Sequence, residues 1–125
     1  MIDHVSIGVH DLAQATRFYE LVLGAIGYAK LEVRPATVGF GKKYSEFWLN
    51  LRPDMPPLAL DSGAHICLRV RSTDLVEAFH AAALANGGVS DGAPGLRPHD
   101  GQRQYYAAFI RDRDGNRIEA VTFTT

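Results

Sequence analysis

Two stretches of the chain are copies of one pattern, His4-Val-Ser-Ile-Gly-Val9 and His65-Ile-Cys-Leu-Arg-Val70, and this repeat predicts the fold. Each begins with a histidine and then places aliphatic side chains at every second position, which is the period of a β-strand. The two copies lie 61 positions apart, and at the same offset Phe18 falls on Phe79. A chance match would not keep both the alternation and the spacing, so the sequence predicts an internal repeat.

The repeat divides the 125 residues into two modules, about 1–60 and 62–125, within a single domain. In each module an amphipathic helix follows the first strand, and three further strands follow the helix. The expected later strands are about 28–34, 36–41 and 46–51 in the first module, and about 89–91, 105–111 and 117–123 in the second. The sequence therefore predicts an α+β fold of two βαβββ modules in tandem.

Local signals mark where helices, turns and loops begin. Asp11 is the expected N-cap of the first helix, with Gln14 in capping-box position. The stretch Asp112-Arg-Asp-Gly-Asn116 predicts a hairpin turn between the last two strands. Residues 52–63 contain three prolines and are interpreted as the linker between modules, whereas residues 91–104 are rich in Gly and Pro and are interpreted as a long loop.

Composition argues against several classes of partner. The chain is 46% hydrophobic and 22% charged, with a formal net charge of -1 and a single adjacent lysine pair, Lys42-Lys43. We therefore expect neither nucleic acid nor an anionic membrane as a partner. The single cysteine, Cys67, excludes an internal disulfide and suits a reducing compartment. The absence of a signal-peptide pattern and of an apolar run of about 18 residues predicts a cytoplasmic location.

With these residues in place, the chain resembles the vicinal oxygen chelate superfamily, which includes glyoxalases, bleomycin-resistance proteins and extradiol dioxygenases. The resemblance covers the whole chain and rests on His4, on His65 and on Glu119 in the final strand. The stretches Gly-Ala-Pro-Gly-Leu-Arg-Pro-His99 and Tyr-Tyr-Ala-Ala-Phe109 look like a glyoxalase-like subgroup. The resemblance implies that the mixed sheets of the two modules curl into a metal-binding cup. It also implies substrates that chelate the metal through adjacent oxygens.

The resemblance implies that His4, His65 and Glu119 hold one divalent metal ion per site. Two imidazoles and one carboxylate suit Zn, Fe(II), Ni or Mn and leave open coordination positions for water or substrate. Both histidines lie on the sheet face opposite the aliphatic residues, because side chains alternate along a strand. The alternative is that each histidine is a solvated or core residue, and that Glu119 lies on the solvated face of an edge strand.

One departure from the family bears on the reaction. Glyoxalase I relatives take a fourth ligand, a glutamate, from the last strand of the first module. Superposing Phe40 on Phe109 places Asn50 opposite Glu119, and asparagine is a poor substitute for a carboxylate. The expected site is therefore a three-ligand facial triad, closer in ligand set to the dioxygenases. Glu119 is then the one candidate for the catalytic base that glyoxalase I relatives place on the metal.

Further candidate residues are expected around the metal. Arg97 and His99 lie in the predicted loop, where Arg97 would clamp an anionic or enolate substrate and His99 would shuttle a proton as a second catalytic residue. The alternative for both is a polar surface loop. Trp48, Asn50 and Tyr105 are expected to contact the substrate, since aromatic and amide side chains often line small-molecule pockets. For the two aromatic residues the alternative is packing in the core.

These features predict a metal-dependent glyoxalase-like enzyme, a lyase, isomerase or dioxygenase, that acts on a small substrate coordinating the metal through oxygen. The metal would stabilise a developing enolate or oxyanion. The alternative is a non-catalytic small-molecule-binding protein that sequesters a drug, as bleomycin-resistance proteins do. The presence of all three ligand residues favours the enzyme. A homodimer is expected from the habit of the family.

Overall fold

Two modules of the expected type form the structure, a computed structural model that describes residues 1–124. The first module contains β1 (Val5–Val9), α1 (Leu12–Gly24), β2 (Ala29–Val33), β3 (Thr37–Gly41) and β4 (Ser45–Leu51). The second module contains β5 (Ile66–Arg69), α2 (Thr73–Ala85), β6 (Val89–Arg97), β7 (Gln104–Arg111) and β8 (Arg117–Thr124). The predicted α+β fold of tandem βαβββ modules is therefore confirmed.

Each module folds its four strands into one mixed sheet. The strand orders are β1-β4-β3-β2 and β5-β8-β7-β6. In both sheets the first strand of the module lies parallel to the last strand, and the remaining pairs are antiparallel. The repeat in sequence is thus a repeat in topology. His4 and His65 precede equivalent strands, β1 and β5, and so occupy equivalent positions.

The two helices begin at side-chain caps and are followed by glycines. The Asp11 carboxylate accepts a hydrogen bond from a first-turn backbone N–H at 3.0 Å, as predicted. Ser72 caps α2 in the same way. Beyond each helix a glycine adopts a positive φ, 94° at Gly27 and 95° at Gly87, a conformation that other residues rarely adopt. Neither helix within residues 1–124 is long and apolar enough to cross a membrane.

One hydrophobic core joins the modules, because α1 and α2 pack against each other as well as against the sheets. Tyr19 lies at its aromatic centre, with ring centroids 4.9 Å from Phe18 and 5.3 Å from Phe47. Phe79 and Ile110 of the second module are fully buried in the same core. Burial of each such side chain contributes roughly 1.5–3 kcal/mol. The sheet faces turned away from the helices stay open and are available for a functional site.

The segment predicted as a long loop, 91–104, is mostly strand. β6 extends to Arg97, well beyond the predicted end, and 98–103 form the connection to β7. Gly92 and Pro94 are tolerated because β6 is an edge strand, where a missing N–H need not break the ladder. The register with β7 shifts twice along β6, which marks bulges. Bulges interrupt the period of two that would have revealed the strand.

The hairpin turn between β7 and β8 ties the two modules together. Asp112 in this turn is 5% exposed and accepts hydrogen bonds from the Tyr19 hydroxyl at 2.6 Å and from the Asn116 backbone N–H at 2.8 Å. Asn116 in turn donates its side-chain N–H to the Gly8 carbonyl at 2.9 Å. The predicted turn is confirmed, and it also docks the second module on β1 and α1 of the first.

His10, to which the sequence assigned no role, lies at the same junction. Its Nδ1 is 2.6 Å from Oδ1 of Asp114, and its Nε2 is 2.9 Å from the carbonyl of Met55 in the linker. Both ring nitrogens face oxygen acceptors, and only the doubly protonated imidazolium donates to both. The Met55 carbonyl and the Asp114 carboxylate raise the pKa of His10 above its ordinary value of 6.5. His10 therefore links the Met55 carbonyl of the linker to Asp114 of the turn, and protonation of the ring favours this link.

We expect the stability of the fold to fall as the pH rises through the raised pKa of His10. A group with a raised folded-state pKa contributes its full stabilisation below its unfolded-state pKa of 6.5 and loses it as the pH rises through the folded-state value. Thermal unfolding followed from about pH 5.5 to about pH 8.5 should show this loss in the wild type and not in His10→Gln.

His80 on α2 is the matched control. Burial lowers the pKa of His80 below 6.5, so His80 costs stability when it is protonated, and His80→Gln should change the pH profile in the opposite direction. An identical pH profile in the wild type and in His10→Gln would show that the imidazolium does not hold the linker to the turn.

Candidate functional site

The open face of the second sheet gathers the residues of the candidate site. Cys67 pairs with Glu119 across β5 and β8, and Glu119 pairs with Phe109 across β8 and β7. Residues paired across neighbouring strands point to the same face of a sheet, so these three side chains project together. Their strand neighbours Ile118 and Ala120 point the other way, into the core. The site therefore lies on the face turned away from the helices.

Glu119 is the centre of this site and is only 2% exposed. Its Oε1 lies 3.0 Å from Nε2 of His65, and its Oε2 accepts a hydrogen bond from the Tyr105 hydroxyl. Burial of a carboxylate is costly unless the group is paired and hydrogen-bonded, and here each oxygen has a partner. The His65 side chain keeps 47% of its surface exposed. The His65–Glu119 pair is therefore reached from solvent through His65.

Cys67 and Tyr105 lie against Glu119, which disfavours deprotonation of both side chains. Loss of water around the thiol and the charge of Glu119 raise the pKa of Cys67 to about 12. Desolvation and the hydrogen bond to Glu119 likewise raise the pKa of Tyr105 above its ordinary value of 10.0. The thiol is therefore a poor nucleophile at neutral pH, and the phenol serves as a hydrogen-bond donor.

Arg97 and His99 flank the same face. The centroid of the His99 ring lies 5.4 Å from that of Tyr105 and 5.6 Å from that of Phe123. The Arg97 guanidinium lies 5.4 Å from the centre of the Phe109 ring. Both residues thus border the surface that carries Glu119. Arg97 does so from the end of a strand rather than from the loop in which the sequence placed it.

The first sheet carries its candidate residues around a separate cavity of about 820 Å³. His4, Trp48, Asn50 and Arg34 all line this cavity. His4 is exposed, and its Nδ1 lies 2.8 Å from Oδ2 of Asp3. The Arg34 guanidinium lies 4.9 Å from the centre of the Trp48 ring, which is the geometry of a cation–π contact. Trp48 therefore faces the cavity and not the core.

The strand register corrects the equivalence drawn between Asn50 and Glu119. Ser6 pairs with Trp48 in the first sheet, and its repeat counterpart Cys67 pairs with Glu119 in the second. Trp48, not Asn50, therefore occupies the position that matches Glu119. An indole stands where the other module has its carboxylate, so the first module supplies no acidic ligand at this position.

The superposition of Phe40 on Phe109 was wrong because these residues point to opposite faces of their sheets. Phe40 is fully buried in the core, whereas Phe109 lines a cavity on the open side. The turns that follow also differ in length. The turn between β3 and β4 spans 42–44, and the turn between β7 and β8 spans 112–116. No single offset aligns both hairpins.

A single copy of the chain presents the expected metal ligands in two parts. His65 and Glu119 are in contact, but His4 lies just before β1 in the other module. Within residues 1–124, no three His, Cys, Asp or Glu side chains come close enough together to hold a metal ion. A catalytic metal usually takes about three protein ligands. The imidazole–carboxylate pair of the second module therefore needs a further donor from elsewhere.

Sequence reasoning missed three residues around a second cavity, which measures about 310 Å³. Asp91, Phe109 and Arg117 line it together with His65. Arg117 lies two positions before Glu119 on β8, so strand alternation places both on one face. That spacing was the available signal for Arg117. Asp91 gave no comparable signal, because it lies where the predicted short strand ended and the predicted loop began.

The fold and the site define a class of small α+β proteins with two βαβββ repeats, open mixed sheets and a histidine–carboxylate pair on one open face. The chain belongs to the Glyoxalase/Bleomycin resistance protein/Dioxygenase superfamily, which it matches over residues 1–120. The family membership predicted from the repeat and from His4, His65 and Glu119 is therefore confirmed. A search of proteins of curated function found no match.

Solved structures support the same assignment. A glyoxalase/bleomycin resistance protein from Albidiferax ferrireducens T118 is 31% identical, with a TM-score of 0.83 over 96% of this chain and 97% of that one. A glyoxalase-related enzyme from Fulvimarina pelagi is 18% identical, with a TM-score of 0.74 over 98% and 87%. A genomically encoded fosfomycin resistance protein from Listeria monocytogenes is 16% identical, with a TM-score of 0.69 over 98% and 92%. The last two likenesses show the fold alone.

Proposed function

We propose that the chain is a metal-dependent enzyme whose metal centre is completed by two copies. His65 and Glu119 of one copy and His4 of the other would hold one divalent ion, Zn, Fe, Ni or Mn. The observation that carries this proposal is the buried Glu119 carboxylate in contact with His65 on the sheet face turned away from the helices. Packing alone gives no reason to bury a carboxylate there, and costly polar groups of this kind cluster at functional sites.

The donor chemistry of these residues fits such an ion. Imidazole nitrogen and carboxylate oxygen are ligands of catalytic zinc and of facial-triad iron. Nε2 of His65 and Oε1 of Glu119 lie 3.0 Å apart, within hydrogen-bond distance, so the two donor atoms already face each other. A metal would replace this hydrogen bond, and any proton that it displaces should be released to solvent. Tyr105, which donates to the other oxygen of Glu119, would fix the orientation of the ligand.

The chain's own residues would bind and orient the substrate. A bound metal would supply Lewis-acid stabilisation of an enolate or oxyanion that develops on an oxygen-chelating substrate. Tyr105 holds Glu119 in place, and His99 lies beside the Tyr105 ring, where its imidazole can take or give a proton. Trp48 and Asn50 would contact the substrate from the cavity of the first module.

The decisive experiment combines two variants that each lack one ligand. Chains with His4→Ala and chains with His65→Ala would be produced together and separately, and the metal content of each preparation would be measured by elemental analysis. Random pairing makes half of the dimers mixed, and each mixed dimer has one intact site, so the mixture should hold about a quarter of the wild-type metal. Each variant alone should hold none.

The possible results test separately whether the protein binds metal and whether two copies share each site. Metal in the wild type without recovery in the mixture would place the whole site in one chain and contradict assembly between copies. No metal in reconstituted wild-type protein would contradict the enzyme and favour a protein that sequesters a small molecule in its cavities. His80→Ala on α2 is the control and should retain the wild-type metal content.

A further inference from the structure

The cavity of about 310 Å³ beside His65 has cationic walls. Arg97 and Arg117 line it, with Asp91 as its acidic residue and Phe109 as its apolar surface. His65 belongs to the same lining, so this cavity adjoins the proposed metal ligands. The other four residues have no part in holding the metal, and their arrangement needs a separate explanation.

Arg97 is held over this cavity by the shape of its own strand. Its Nη2 donates to the Ala93 carbonyl at 2.6 Å, and its guanidinium rests on the Phe109 ring. A Cβ atom on Gly92 would lie 3.1 Å from Nη2, and one on Gly95 would lie 3.3 Å from Nη1. The two glycines leave the space that the guanidinium occupies. Arg97 is therefore positioned before a ligand arrives, which lowers the entropic cost of binding.

Positive charge exceeds negative charge around the cavity. The Asp91 carboxylate is shared, because it lies 3.6 Å from Nε of Arg111 and 3.7 Å from Nε of Arg117. Arg97 has no carboxylate partner within residues 1–124. The buried Nε of Arg111 also lacks a hydrogen-bond partner in this part of the chain. Arg111 and Arg117 thus share one carboxylate while Arg97 has none, and this excess of positive charge calls for an anion.

We propose that this cavity binds an oxyanion group of the substrate, a carboxylate or a phosphoryl group, between Arg97 and Arg117. Guanidinium groups recognise such groups through paired N–H donors, which a simple halide cannot match. The substrate would then carry this oxyanion at one end and its metal-binding oxygens at the end nearer His65. Phe109 would contact the apolar part between them. The orientation toward the metal rests on the proposed function, whereas the anion site does not.

Calorimetric titration of the metal-free full chain with inorganic phosphate, and separately with succinate, tests the site. At constant ionic strength the wild type should bind at least one of these anions at a single saturable site. Arg97→Gln and Arg117→Gln should each weaken that binding by about tenfold or more, as loss of charge-assisted hydrogen bonds predicts. The double variant should show no binding. The anion that binds more tightly tells whether the natural group is phosphoryl or carboxyl.

Arg17→Gln on the exposed surface of α1 is the control, because it removes the same charge from the helix side of the molecule. It should leave anion binding unchanged. Absence of saturable binding in the wild type, or equal binding in the wild type and in the Arg97→Gln and Arg117→Gln variants, overturns the proposal. Anion binding that depends on both arginines supports it, even in a protein that takes up no metal. Anion binding without metal uptake would refute only the proposed metal centre.

Discussion

Glu119→Gln is expected to abolish stoichiometric metal binding and, with it, turnover. Loss of an outer-shell partner of a metal ligand costs roughly 10- to 100-fold in affinity, and loss of the carboxylate ligand itself should cost more. Glutamine keeps the length of the side chain and still accepts a hydrogen bond from Tyr105, so the fold should survive. Elemental analysis and competition with a chelator measure the change. Wild-type metal affinity in Glu119→Gln would show that Glu119 is not a ligand.

Two neighbouring tyrosines allow a matched test of whether the Tyr105 hydroxyl holds Glu119 in place. Tyr105 donates to Glu119, whereas Tyr106 donates to Glu77 of α2 at 2.9 Å. Tyr105→Phe should weaken metal binding by about 10- to 100-fold, and Tyr106→Phe should leave it unchanged. Equal metal affinities in the two variants would refute the supporting role of Tyr105.

Asp112→Ala is expected to have the second large effect, a loss of about 3–5 kcal/mol in the free energy of unfolding, because it leaves several hydrogen-bond donors without their acceptor. One carboxylate oxygen accepts from the backbone N–H groups of Asp114 and Asn116 at 3.0 and 2.8 Å. The other accepts from the Tyr19 hydroxyl at 2.6 Å and from the Asn116 side chain at 3.0 Å. Truncation leaves these donors unpaired, at a cost of about 1–3 kcal/mol for each buried group. Urea denaturation measures the loss.

Asp112→Asn and Tyr19→Phe are the conservative comparisons. Burial raises the pKa of Asp112, so a neutral side chain is less costly to bury there, and the amide keeps one acceptor oxygen. Each of these changes should therefore cost about 1–2 kcal/mol. A loss of less than about 1 kcal/mol in Asp112→Ala, the size of an ordinary substitution, would show that the turn does not hold the modules together.

The fold was predictable because its signals are local. The alternation after His4 and His65 and the fixed offset between them survive in the sequence, and they predicted both modules. The Asp11 cap joins residues three positions apart, so spacing alone reveals it. The length of β6 was hidden, because its bulges and Pro94 break the period of two.

The candidate site was less predictable because its contacts join distant parts of the chain. His65 meets Glu119 across 54 positions, and His10 meets Asp114 across 104. Residue pattern gives the face of a strand on which a side chain lies, but not the partner that it meets there. The pairing of Asp91 with both Arg111 and Arg117 is visible only in the structure, where β6 lies beside β7. The match between Asn50 and Glu119 failed for the related reason that hairpins of different length shift the register.

Trp48 and Glu119 stand at matching positions, and the difference between them gives the paired sheets a direction. If both modules carried a carboxylate there, a molecule lying between them could turn end over end and meet the same groups again. With an indole on one side and a carboxylate on the other, an unsymmetrical molecule meets different surroundings in its two orientations. The divergence of the repeats therefore predicts selectivity between the two ends of a molecule that binds between the modules.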